Sequence, residues 1–185
     1  MNTALLICAL IVVYCVILYN NLVKSRQYVK EGASDIETHL KRRYDLIPNL
    51  VETVKGYAKH EKETLAQVTQ ARTMAMGVQG VNTDKSQAEN YLSGTLKSIF
   101  ALSENYPDLK ANQTFLELEQ ELTDTENKIQ ASRRFYNSTV LSLNTKIETF
   151  PSNLVAKVFN FQKEQYFELD EQEKNLAKQT PKISF

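Results

Sequence analysis

The chain has 185 residues, 22 Lys and Arg against 22 Asp and Glu, no net charge, and 42% hydrophobic residues. That balance, without a long basic run, leaves no electrostatic footprint for nucleic acid, and five Gly with four Pro argue against a loop-rich or low-complexity chain. Both cysteines, Cys8 and Cys15, lie in the apolar N-terminal run, so no disulfide framework or thiolate zinc site can form beyond it, in keeping with a reducing compartment.

Residues 1–23 carry no charged side chain, and their core, ALLICALIVVYCVILY at residues 4–19, extends with Leu22 and Val23. About 20 apolar-compatible positions are what a helix needs to cross the hydrocarbon layer while satisfying its own backbone. A cleaved signal peptide fits poorly: no Lys or Arg precedes the run and no small-x-small site comes after it. A retained single span is expected, with membrane lipid as its first partner. Lys24, Arg26 and Lys30 flank its C-terminal side, which by the positive-inside tendency puts the N-terminus outside and the rest in the cytoplasm.

Three helical stretches are predicted beyond the span. In residues 31–76 the apolar stripe runs Ile36, Leu40, Ile47, Leu50, Val54, Ala58, Leu65, Val68, Ala75; in 85–104, Ala88, Leu92, Thr95, Ile99, Leu102; in 111–148, Phe115, Leu118, Leu122, Ile129, Tyr136, Val140, Leu143, Ile147. Turn chemistry separates them at 77–84, 105–108 and 150–153, where Ser152 or Asn153 can cap the segment beyond. Pro48 inside the first stretch crowds Tyr44's carbonyl and implies either a kink or a boundary. The expected fold is all-α: a single N-terminal transmembrane helix continuing into a long-helix, up-and-down antiparallel bundle. It divides into a span at 1–23, a membrane-proximal stalk at 24–50, and a cytoplasmic bundle with an aromatic C-terminal segment at 51–185. A first helix of roughly 69 Å beside a second of roughly 30 Å leaves the Ile36, Leu40 and Ile47 stripe without an intrachain partner. Such a stripe predicts a homo-oligomer formed through the stalk.

Placed at 100° intervals, Arg43, Glu61 and Arg72 share the apolar face of the first helix, and Arg133, with Glu126 at its flank, lies near that of the third. Charges there must be paired or reach an edge. Interhelical ion pairs fixing register are the plain reading and a polar pocket the sharper one; the first and third helices are expected to run parallel, which brings Arg72 level with Glu126 and makes them the first expected pair. Asp45, Asn49 and Glu52 align on the opposite face, where local ion pairs are expected in preference to acid–base chemistry. His39 and His60 match no metal-binding spacing, and no nucleotide or nucleophile motif is present, so no catalytic residue, metal or cofactor is expected. The C-terminal aromatics, Phe159, Phe161, Tyr166 and Phe167 with Phe150 and Phe185, read mainly as a docking segment packing on the bundle or on a neighbouring subunit. A ligand or membrane-surface role is the minor reading.

The stretch RRYDLIPNLVETVKGYAKHE at 42–61 resembles the signature of the LemA family of bacterial membrane proteins. Further blocks come in order: ENYPDLKAN at 104–112, ENKIQASRRFYN at 126–137, Phe150-Pro151 and then Tyr166-Phe167, and the ending PKISF at 181–185. The resemblance implies one N-terminal span with a short extracytoplasmic end, an all-α cytoplasmic domain, and no established catalytic residues. It also implies a gene often encoded near those of membrane metalloproteases or stress-related envelope proteins. Two functions are therefore expected: a self-associating scaffold of the bacterial cytoplasmic membrane without catalysis, or a regulatory adaptor presenting its bundle to a membrane protease or signalling partner.

Overall fold

The structure, a computed structural model, describes residues 2–167. All regular elements among them are helices: α1 (Asn2–Tyr57), α2 (Lys62–Gly77), α3 (Thr83–Ser103), α4 (Pro107–Lys110), α5 (Gln113–Glu148) and α6 (Ser152–Val158). The sequence block at 181–185, with Phe185, lies outside the described residues. The chain forms two compact units, one from Met1–Ile36 with Ala131–Tyr166, the other from Glu37–Gln130 with Phe167.

In the second unit the first predicted helix is in fact two. Periodicity carries the stripe from Val54 through Ala58 to Leu65 and Val68, all buried, yet the chain reverses at 58–61. Ala58 is buried inside the turn, so the spacing alone gives no sign of it. The four-residue connection makes an αα-hairpin, with Arg72, ten residues into α2, reaching back to the carbonyl of Tyr44 on α1 at 2.7 Å. Pro48 is no boundary: it lies inside α1. Its ring removes the N–H that would have bonded that same Tyr44 carbonyl, and Arg72 Nε takes the vacated place.

α3 returns alongside α2, started by Gly80 at φ 76° and by Asn82, whose side chain accepts the Lys85 N–H at 2.8 Å. Pro107 opens the single turn of α4, and Asn112 caps α5 through the Phe115 N–H while donating to the Tyr57 hydroxyl at the end of α1. From there α5 descends past Glu121, 3.7 Å from Arg42, to Glu126 at Arg43. α1 and α5 are thus antiparallel, not parallel, because the hairpin at 58–61 adds one reversal. The result is an up-down-up-down bundle of α1, α2, α3 and α5.

In the first unit the same two helices run antiparallel. A Cβ on Gly32 would meet Tyr136 Cα at 3.1 Å, and Lys146 Nζ donates to Ser25 Oγ at 2.6 Å. The stripe expected to lack an intrachain partner is covered within the chain. Ile36, Leu40 and Ile47 are 0%, 2% and 1% exposed within a single chain. The 36-residue α5, about 54 Å long, lies against α1 in both units and supplies the cover that the length mismatch left out.

Candidate functional site

The polar residues of the second unit converge on Arg43, which is 1% exposed. Its position comes from the stripe: it lies between Leu40 and Ile47 on the buried face of α1, so its guanidinium has to find acceptors inside the bundle. Nη2 donates to Glu89 of α3; Nη1 donates to Glu126 Oε2 of α5 at 2.5 Å and to Ser93 Oγ at 2.9 Å. Tyr44 donates its hydroxyl to the other oxygen of Glu89. Burial first, then the bond to Glu89, holds the Tyr44 phenol far above the ordinary tyrosine range, with Arg43 opposing weakly. Lys85 Nζ stands 3.6 Å from Glu89 and over the Tyr44 ring at 5.3 Å. The same ammonium donates to the carbonyls of Ala75 and Val78 at 2.8 and 2.9 Å, closing the C-terminal end of α2.

Of the charges expected on core faces, Arg43 and Glu126 meet each other. Arg72, half-buried, meets the Tyr44 carbonyl instead of Glu126. Glu61, also half-buried, accepts the Tyr106 hydroxyl at 3.0 Å, tying the α1–α2 turn to the entrance of α4. Arg133 is buried in the first unit. Asp45, Asn49 and Glu52 are exposed, Glu52 pairing with Lys55 at 3.3 Å. Sequence reasoning missed Tyr44, Lys85, Glu89 and Ser93. One signal was available: Leu92, Leu96 and Ile99 are buried on α3, and the same spacing of threes and fours carried backward reaches Glu89 and Lys85.

Among the aromatics, Phe161 and Phe167 are buried, whereas Phe159 and Tyr166 are 56% and 42% exposed. In the first unit Phe159 and Phe161 gather around Tyr19 at centroid distances of 4.6 and 6.0 Å, and Arg26 caps the Phe161 ring at 5.0 Å. Tyr136 donates to the carbonyl of Gln165 at 2.9 Å, and Asn144 bonds both backbone groups of Glu164.

Two concavities open on the second unit. A groove of about 1100 Å³ lies between the end of α1 and α2, floored by Val51, Ala58, Leu65 and Ala66 and rimmed by Lys55, Lys59, His60 and Lys62, with Glu52 paired to Lys55 among them. A smaller one, about 470 Å³, borders Tyr44 and Lys85 beside the 78–80 loop. The Lys85 ammonium is already committed to backbone carbonyls there. With both Glu89 oxygens bonded and Arg43 enclosed, the cluster ties α1, α3 and α5 together.

The sequence is similar to those of several known proteins. Protein LemA of Metamycoplasma hominis is 28% identical over 155 residues, 84% of this chain and 71% of that protein. Magnetosome protein MamQ 2 of Paramagnetospirillum magneticum is 22% identical over 175 residues, 81% of this chain. MamQ of Magnetospirillum gryphiswaldense is 21% identical over 174 residues. The match spans 64% of either MamQ protein. The LemA family model matches residues 32–185, taking in the Arg43 cluster, the hairpin and the aromatic segment, and the chain belongs to the LemA family.

Proposed function

We propose that this protein is a membrane-anchored helical scaffold without catalytic activity of its own. The supporting observation is the Arg43 cluster: Arg43 is spent on Glu89 and Glu126, and Lys85 on the carbonyls that end α2, so these buried charges serve to join helices. α1 carries the anchor, an apolar stretch beginning near Thr3 with mean hydropathy 2.4 that is not buried against the rest of the chain. The exposed cations Lys24, Arg26 and Lys30 support an N-terminus outside and a bundle in the cytoplasm of the bacterial inner membrane. Because the Ile36, Leu40 and Ile47 stripe is internal, self-association uses another surface.

The groove between α1 and α2 favours a second reading, an adaptor. Its apolar floor and cationic rim fit an acidic amphipathic helix of a partner such as a membrane protease or an envelope-stress protein. Gentle extraction into native lipid discs, then particle mass and protein identification, separates the two. A scaffold gives particles built from multiples of 21.2 kDa. An adaptor brings a stoichiometric second protein, lost when Lys55, Lys59 and Lys62 are all changed to Glu. For topology, single cysteines replacing Asn2 or Gln162, with Cys8 and Cys15 changed to Ser, are labelled by an impermeant thiol reagent on intact cells. Labelling at 162 and not at 2 reverses the orientation.

A further inference from the structure

We infer that the corner between α5 and α6 is a second membrane contact, a short apolar face that enters the headgroup–acyl boundary beside the span. This rests on the reading of α1 as a membrane anchor. Phe150, Leu154, Val158 and Phe159 are 80%, 58%, 78% and 56% exposed, four large apolar side chains within one short segment. They share an outward face: Leu154 and Val158 are one turn apart on α6, while Val155 and Ala156 between them point inward and are buried. A concentration of this kind is rare on a surface that meets only water and marks a site of interaction.

The geometry within the first unit selects lipid as the occupant. Phe159 stacks on Tyr19 at 4.6 Å, and Tyr19 belongs to the same uncharged run as the anchor. Tyr19 lies four residues, about 6 Å of helix rise, on the membrane side of Val23. Interfacial segments sink their apolar faces about 5–10 Å, the same depth. Cations stand where lipid phosphates would be: Arg26 over the Phe161 ring at 5.0 Å, Lys146 bonded to Ser25, and exposed Lys24 and Lys157. The corner is also held rigidly. Asn160 adopts φ 54°, the Phe161 N–H returns to the Ala156 carbonyl at 2.9 Å, and Phe161 turns inward while Phe159 stays out. The apolar face is therefore turned away from the helices, on the side open to the bilayer.

The chain contains no Trp, so single tryptophans report without background. Full-length Val158→Trp and Leu154→Trp, both at exposed positions that tolerate the ring, are reconstituted in vesicles containing lipids brominated along their acyl chains. Val16→Trp serves as a control inside the span and Gln120→Trp as a control in water. Quenching of positions 158 and 154 by brominated lipid, comparable to that of position 16 and absent at position 120, is the expected result. If position 16 is quenched while 158 and 154 are reached by aqueous iodide, the corner faces water and the inference falls, with the anchor intact. If 158 and 154 are shielded from both quenchers, a second protein surface covers the patch, which also overturns it. Absence of quenching at position 16 refutes the anchor itself.

Discussion

In the first unit, Met1–Ile36 with Ala131–Tyr166, α1 and α5 meet backbone to backbone: Gly32 leaves room for no more than a hydrogen against Tyr136 Cα. Neutral bonds from Tyr136 and Asn144 to the backbone of Gln165 and Glu164 then tie down the segment beyond α6. In the second unit the same two helices meet across Arg43 and Glu126, with Glu89 of α3 completing the junction. Shape sets the register in one place and charge in the other. A close crossing tolerates no added volume, whereas a buried ion pair tolerates no missing partner.

Arg43→Met should therefore produce the largest loss, about 3–5 kcal/mol in denaturant unfolding of the solubilised protein, because buried Glu89 loses its nearest counter-charge and keeps only Lys85 at 3.6 Å. Replacing Glu89 with Leu in the same chain should recover most of that loss. A double variant as unstable as Arg43→Met alone would show that shape, not charge, holds the second unit as well. Arg72 comes next. Its partner is a carbonyl and its side chain is half-buried, so Arg72→Met should cost about 1.5–3 kcal/mol. Pro48→Ala restores a backbone donor to Tyr44's carbonyl, and the cost of Arg72→Met should shrink in that background. Additive effects would mean that the proline and the arginine are not coupled through that oxygen.

Gly32→Val probes the other unit. Its branched side chain must push against backbone, since the nearest atom is Tyr136 Cα, and a loss of about 1–3 kcal/mol is expected. Amide exchange should quicken in α5 after Ala131 and stay unchanged around Glu89. Gly94→Ala is the matching control: nothing lies within 4 Å of the added carbon, and α3 should gain about 0.5–1 kcal/mol from helix propensity alone. A neutral Gly32→Val would remove the close crossing from the account.

These sites were unequally legible in the sequence. The apolar N-terminal stretch, the helices and the break at Gly80 and Asn82 are readable from composition, period and turn chemistry. The reversal at 58–61 was not, because Ala58 keeps the apolar period through a turn that has no Gly or Pro in it. That single missed reversal propagated. It made α5 parallel to α1 and paired Arg72 with Glu126; together with the neglected length of α5, it left the Ile36 stripe looking unpartnered. Arg43 was placed correctly on a buried face because its neighbours on the stripe are aliphatic. Its partner Glu89 was passed over, since a Glu on a charged, soluble-looking helix carries no mark of burial until its spacing from Leu92 and Leu96 is traced backward. The exposed corner at Phe150 and Val158 was concealed for another reason: burial of an aromatic segment depends on which residues its turn directs outward.

A change with pH at Tyr44 probes the second unit by a different route. The phenol is neutral while protonated, and burial with the bond to Glu89 raises its ionisation above the ordinary value near 10. The folded chain thus keeps a proton that the unfolded chain releases. Stability contributed by the neutral phenol is complete below about pH 10 and declines as pH rises beyond it. In an absorbance titration, one of the nine tyrosines should ionise only as the second unit opens. Tyr136 of the first unit is raised too, by burial and then by Glu164, and Tyr106 by its bond to Glu61, so Tyr44→Phe removes one of three raised phenols. At neutral pH that variant loses stability only through the missing hydroxyl donor, about 1.5–3 kcal/mol for a bond to a charged acceptor. In alkaline solution its deficit against the parent should narrow, because the parent alone then carries the burden of a buried phenol that must ionise. A deficit that stays constant from neutral to alkaline pH would mean that Tyr44 titrates as an ordinary tyrosine and that its hydroxyl is not held by Glu89.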